Sequence, residues 1–156
     1  MAEQGRRMLR SFVLSLYDEG ILNVHFLELQ TLQDENNPSF VIEVIRSFVH
    51  DAGIIIVELN RFLSEPVVDF EGMGSFSHQI KGSSSSIGAH LVNTACVEFQ
   101  QALDANDREG CIRALNRMND EYQRVRAKFH TFIQMEESLQ SYGADGKSAI
   151  GREVLN

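Results

Sequence analysis

Met73-Gly74-Ser75-Phe76-Ser77-His78-Gln79-Ile80-Lys81-Gly82-Ser83-Ser84-Ser85-Ser86-Ile87-Gly88 is the stretch on which the fold turns. Its glycines and its run of serines are poor helix formers, with Gly alone costing ~1 kcal/mol relative to Ala. The serine run by itself would suit a plain loop. The apolar spacing argues for a helix instead. At ~100° per residue, Met73, Phe76, Ile80, Ser84 and Ile87 fall on one arc, the stripe of an amphipathic helix. With Met73 at the centre of the buried face, His78 projects ~140° away, toward solvent. One turn to either side stand Gly74, Ser75, Lys81 and Gly82, almost no bulk and one cation.

Apolar positions recur at three- and four-residue steps through nearly the whole chain, and no strand pattern competes with them. A first helix is predicted from roughly Arg6 to Glu19, with Leu9, Phe12, Val13 and Leu16 on one face and Gly20 as its stop. Asn23 caps a second, roughly Val24 to Asp34, built on Phe26, Leu27, Leu29 and Leu32. Asn36-Asn37-Pro38 breaks the chain. The third runs from roughly Ser39 to Leu63 and ends before Pro66, since proline disfavours helical geometry in the residue before it. Asp69 caps a fourth helix through the quoted stretch, and Gly88 separates or kinks it from a fifth, roughly Ala89 to Ala105. A sixth runs from roughly Arg108 to Gln140. The expected architecture is all-α: an antiparallel four-helix bundle over residues 39–140, two additional N-terminal helices in 1–38 packed on it, and a disordered, glycine-punctuated tail over 141–156.

The chain has 156 residues, 43% hydrophobic and 23% charged, the balance of one folded domain. Its net charge of −8 argues against nucleic acid and anionic membranes as partners. No apolar stretch approaches the ~20 residues of a membrane span. The N-terminus lacks the small-residue cleavage site of a signal peptide. Cys96 and Cys111, the only cysteines, sit in helical patterns and read as small buried hydrophobes of a reducing compartment. An intracellular soluble protein is expected.

An exposed histidine among residues with little side chain suits a phosphoryl acceptor. Neutral imidazole is a good nitrogen nucleophile near neutral pH, its unperturbed pKa being ~6.5. Lys81 can offset the charge of the phosphoryl oxygens, and Gly74 and Gly82 clear space for another protein's active site to close over the ring. A core histidine would have bulky apolar neighbours, and a metal ligand would have a second His or a carboxylate one turn away. A phosphate-binding loop would need Lys and Ser/Thr directly after its last glycine, where Ala89 and His90 stand. Ser77 beside His78 is no hydrolase pair, because adjacent helix residues point ~100° apart. His25, His50, His90 and His130 have no matched partners and read as structural or solvated.

The segment His78 to Ala89 resembles the signature of histidine-containing phosphotransfer (HPt) proteins, specifically the plant type of cytokinin signalling. The likeness extends to Gly20-Ile21-Leu22, Leu32-Gln33-Asp34-Glu35, Pro66-Val67-Val68-Asp69-Phe70 and Glu109-Gly110-Cys111, and leaves out mainly the tail. It implies a bundle whose fourth helix presents His78 as phosphoacceptor, with Lys81 supporting the phosphoryl group and Gly82 giving access. It implies a monomeric phosphocarrier of cytoplasm and nucleus that binds receiver domains of hybrid histidine kinases and response regulators. Such a carrier has no ATP, metal or other cofactor of its own, and Mg²⁺ is expected on the partner receiver domain. In relatives a glutamine on the next helix bonds the other imidazole nitrogen; by spacing that residue is Gln100, with a solvated helix glutamine an equal alternative and Gln101 a competitor. One departure stands out: His90-Leu91-Val92-Asn93 occupies the place where plant relatives usually carry basic residues, which implies weaker or different receiver pairing. The competing reading is a non-catalytic helical adaptor that only occupies receiver domains, and the presence of His78 argues against it.

Overall fold

The computed structural model describes the backbone of residues 2–155 and the side chains of residues 2–141. Six helices form: α1 (Ala2–Asp18), α2 (Val24–Thr31), α3 (Phe40–Leu63), α4 (Gly74–Ile87), α5 (His90–Asp104) and α6 (Arg108–Leu155). Among the described residues there is no strand, only an isolated bridge between Leu22 and Ala89.

Helices α3 to α6 each pack on the next in chain order, and α3 also meets α6, closing a four-helix bundle. The contacts run antiparallel. Along α4 and α5, Ser77 pairs with Gln100 and Ser84 with Asn93. Along α3 and α6, Leu63 meets Arg108 and Val49 meets Tyr122. The core is the sum of the inward stripes, among them Ile45, Leu59, Met73, Ile80, Phe99, Leu115 and Phe129. Full burial of such side chains contributes ~1.5–3 kcal/mol each, the largest favourable force on the fold.

The N-terminal helices lie against the bundle. Leu9, Val13 and Leu16 bury one face of α1, which lies on α6. Phe26 of α2 is fully buried and stacks on Phe129 at 5.7 Å with an edge contact to Phe132 at 5.4 Å. Two helix ends fasten this arrangement. Gly20 follows α1 at φ 74° and Gly88 follows α4 at φ 81°. In each, the next amide reaches back to the last turn: Ile21 N to Leu16 O at 2.9 Å, and Ala89 N to Ser84 O at 2.9 Å. That is the glycine-terminated cap expected of a helix end. The two ends then bond each other, Asn23 N to Gly88 O at 3.0 Å and His90 N to Ile21 O at 3.1 Å. A Cβ on Gly88 would stand 2.5 Å from the backbone nitrogen of Phe26, so this junction admits glycine alone.

Several boundaries depart from the sequence pattern. Helix α2 stops at Thr31 rather than Asp34, because Asp34 Oδ1 accepts from the amides of Asn36 and Asn37 and turns the chain. Of the apolar residues expected to build α2, Leu27 and Leu32 are exposed, and Phe26 alone is fully buried. Asp69 does cap, accepting from Gly72 N at 2.9 Å, but it caps a short 3₁₀ turn over Glu71–Met73 that leads into α4. The backbone of α6 continues as helix to Leu155, past the predicted end near Gln140, since helix elongation costs little once begun and no proline intervenes. Side chains from 142 onward lie outside the described residues, and with them the expectation of a disordered tail.

Candidate functional site

Helix α4 holds its serines and glycines in helical form through the seam it makes with α5. Ser77, Ile80, Ser84 and Ile87 are its buried positions, following the buried Met73 of the 3₁₀ turn. Ser77 and Ser84 are small enough to bring the two helices close, and their hydroxyls are bonded. Ser84 Oγ donates to Lys81 O at 3.1 Å, and Asn93 Nδ2 donates to Lys81 O at 2.9 Å and to Ser84 Oγ at 3.2 Å. Ser77 Oγ donates to Gln100 Oε1 at 2.7 Å. Polar groups satisfied in this way leave apolar burial to hold a helix of weak intrinsic propensity.

The buried stripe differs from the sequence pattern at one position. Ser77 is fully buried, whereas Phe76 is only partly so. Ser77 and Ser84 stand seven residues apart on the same stripe as Met73, Ile80 and Ile87.

His78 is exposed on the outer side of this seam. Gly82 is exposed one turn later and Gly74 half-buried one turn earlier; a Cβ on either would meet nothing within 4 Å. Lys81 is half-buried and makes no ion pair among the described residues. It is the only Lys or Arg in α4 and α5. Its charge is felt in the seam, where it pulls down the Cys96 thiol; burial outweighs this and pushes Cys96 up to about 12. Cys96 and Cys111 are both buried free thiols, and Cys96 stays protonated at neutral pH.

Gln100 lies beside α4 but not in the contact expected of it. Its Oε1 accepts from Ser77 and its Nε2 donates to Asp104 Oδ1 at 2.8 Å; no hydrogen bond reaches the His78 ring among the described residues. Gln101 is exposed. Asn93, where a basic residue was expected, turns toward α4 as a clamp on Lys81 and Ser84. His25 bonds Glu28, and His50 and His130 line a groove between α3 and α6 on the far side of the bundle. Among the described residues no three His, Cys, Asp or Glu side chains gather where they could hold a metal ion.

Residues 43–128, more than half of the chain, match the family model described as the Hpt domain. The chain belongs to the histidine-containing phosphotransfer family. This HPt chain is 40% identical over 140 residues to histidine-containing phosphotransfer protein 1 of Arabidopsis thaliana, covering 90% of this chain and 91% of that protein. It is 38% identical over 138 residues to histidine-containing phosphotransfer protein 2 of Oryza sativa subsp. japonica, covering 88% and 93%. A crystal structure of a histidine-containing phosphotransfer protein from maize superposes with a TM-score of 0.83 at 39% identity, over 86% of this chain and 99% of that one. HPt proteins are phosphocarriers of two-component phosphorelays rather than conventional enzymes, and the family acts on receiver domains of kinases and response regulators. No helix of this HPt chain among the described residues is long and apolar enough to cross a membrane.

Proposed function

We propose that His78 is the phosphoacceptor of this HPt chain. It takes a phosphoryl group from the receiver domain of a hybrid sensor histidine kinase and passes it to an aspartate of a response regulator. The observation that carries this reading is the exposed imidazole of His78 on α4, flanked by open space at Gly74 and Gly82 and by the unpaired ammonium of Lys81. A nucleophile that must enter another protein's active site needs that clearance. Lys81 supports the phosphoryl oxygens as charge gathers on them, and Gly82 gives the receiver access to the ring. The chain supplies no ATP site, metal or other cofactor; the partner's Mg²⁺ meets the transferring group, so catalysis is shared between two proteins.

Cytokinin two-component signalling is the pathway the relatives' plant origin favours, with the chain acting as a monomer in cytoplasm and nucleus. Helices α4 and α5 carry one Lys or Arg, Lys81, and of their two carboxylates Glu98 is already paired with Arg117 of α6 while Asp104 accepts from Gln100. Docking here therefore leans less on charge than a basic surface would.

Incubation with a phosphorylated receiver domain tests the proposal. Acid-labile, base-stable label should appear on this protein and be absent from His78→Gln. Receiver binding without label would favour the adaptor reading instead.

A further inference from the structure

The groove between α3 and α6, across the bundle from His78, has a volume of about 1360 Å³. Buried Tyr122 and Phe129 lie beneath it. Along α3 it runs from Ile45 to Glu58, about 20 Å at the helical rise of ~1.5 Å per residue. Ile54 and Val57 line it one turn apart, 49% and 64% exposed, while Ile55, Ile56 and Leu59 beside them are buried. A single exposed apolar residue is ordinary, but two on one turn over an apolar floor make a patch. The charges along this groove are not those of the whole surface. The chain carries 22 Asp and Glu against 14 Lys and Arg. The two carboxylates that line the groove are already engaged, Glu137 with Arg46 at 3.4 Å and Glu58 with Arg61. Arg126 makes no ion pair among the described residues, and its side-chain bond goes to the neutral amide of Gln123 at 3.4 Å. His50 and His130 also line the groove, and an imidazole offers at least one N–H donor in either charge state.

We infer that the α3 and α6 groove docks an acidic amphipathic helix of a partner protein, apolar on one face and carrying carboxylates along its flanks. Its apolar face covers Ile54 and Val57, and its carboxylates meet Arg126 and the two histidines, as in other helix-in-groove complexes. The length of the groove calls for about 13 residues of helix. The leftover charge calls for an acidic one, since a basic helix would meet Arg126 here and find better partners elsewhere on a surface of net charge −8. A small molecule fits less well, because its sites typically enclose ~300–1,000 Å³ and this groove is larger and open. The inference is independent of the reading of His78. A helix held here leaves the α4 face free, so the chain can bind this partner and a receiver at once.

The test uses the full chain and a stapled helical peptide of about 13 residues, with leucines at three- and four-residue steps on one face and glutamates on its flanks. A twin peptide carries lysines in place of the glutamates. Fluorescence anisotropy reads affinity, and backbone amide shifts locate the peptide. The acidic peptide should bind about tenfold or more tighter than its twin at low salt, with shifts confined to α3 and α6. Ile54→Gln combined with Val57→Gln should weaken binding about tenfold or more, and Arg126→Glu should abolish the preference for the acidic peptide. These positions are exposed, so both variants should melt near the wild-type temperature. Transfer from a phosphorylated receiver domain should proceed unchanged with the acidic peptide bound. No binding, or equal binding of the two peptides, overturns the acidic partner. Shifts around α4, competition with the receiver, or binding indifferent to Ile54 and Val57 overturns the site. A concentration-dependent dimer of the peptide-free chain, dissolved by the Ile54 and Val57 substitutions, would give the groove to a second copy and overturn the inference as well.

Discussion

Gly53 in α3 and Gly82 in α4 both sit in helix interiors, and their surroundings differ. Each costs its helix ~1 kcal/mol relative to alanine. At Gly53 the cause is inside the molecule. A Cβ there would lie 2.7 Å from the hydroxyl of Tyr122, which donates to Val49 O at 2.6 Å. At Gly82 a Cβ would meet nothing within 4 Å. Among the described residues nothing asks for glycine at 82, which accords with the proposed approach of a receiver to His78 from outside.

The comparison is tested most severely at the histidine. His78→Gln should abolish phosphoryl acceptance while leaving the melting temperature nearly unchanged, since exposed substitutions usually stay within ~0.5 kcal/mol. Label that persists on His78→Gln would move the chemistry elsewhere. Gly82→Leu comes next. Leucine is a good helix former and has room, so the variant should melt at or above the wild-type temperature. It should nevertheless transfer phosphate more slowly by roughly tenfold or more, because a receiver held off by even ~1 Å loses its in-line geometry. Normal transfer in a stable Gly82→Leu would remove the contrast between the two glycines.

Lys81→Ala should slow transfer by about threefold to tenfold in both directions without stopping it, as the loss of one charge-assisted contact would. The proposal leaves most of the charge neutralisation to the partner's metal. Wild-type rates in this variant would reduce Lys81 to a surface lysine that happens to stand near the seam.

Much of this was legible beforehand because helix periodicity is a property of local sequence. Exposure of His78 followed from phase alone, and so did the long apolar stripes of α3 and α5. What escaped were features decided by contacts between elements. The full burial of Ser77 depends on how close α5 comes, and its hydroxyl looks like a solvent group in the one-dimensional pattern. The partner expected of Gln100 was the His78 ring; the partners found, Ser77 and Asp104, depend on side-chain reach across the seam and down its own helix. Asn93 read as a missing charge and is a clamp. The early end of α2 was hidden because Asp34 stops the helix through its own side chain, a competition that apolar spacing does not record.

The smallest effects give the sharpest contrast, since they come from the same substitution at both glycines. Alanine removes the backbone-entropy penalty at either site, worth ~1 kcal/mol. At Gly82 that gain meets no opposing contact, so Gly82→Ala should raise the melting temperature by about 3 °C, the scale for ~1 kcal/mol in a chain of this length. Its methyl group is small, and transfer should slow far less than in Gly82→Leu. At Gly53 the same methyl group collides with the Tyr122 hydroxyl. The ring is buried and its hydroxyl is bonded to Val49 O, so it cannot swing aside freely. Overpacking of this kind costs ~1–3 kcal/mol and the lost hydrogen bond ~1 kcal/mol, which together exceed the gain. Gly53→Ala should therefore lower the melting temperature by a few degrees. Phosphoryl transfer should not change, because Gly53 lines the α3 and α6 groove, across the bundle from His78. Thermal melts and transfer rates of the two alanine variants, taken side by side, separate the cases. A Gly53→Ala variant as stable as Gly82→Ala would mean Tyr122 has room to move, and packing would no longer distinguish the two positions.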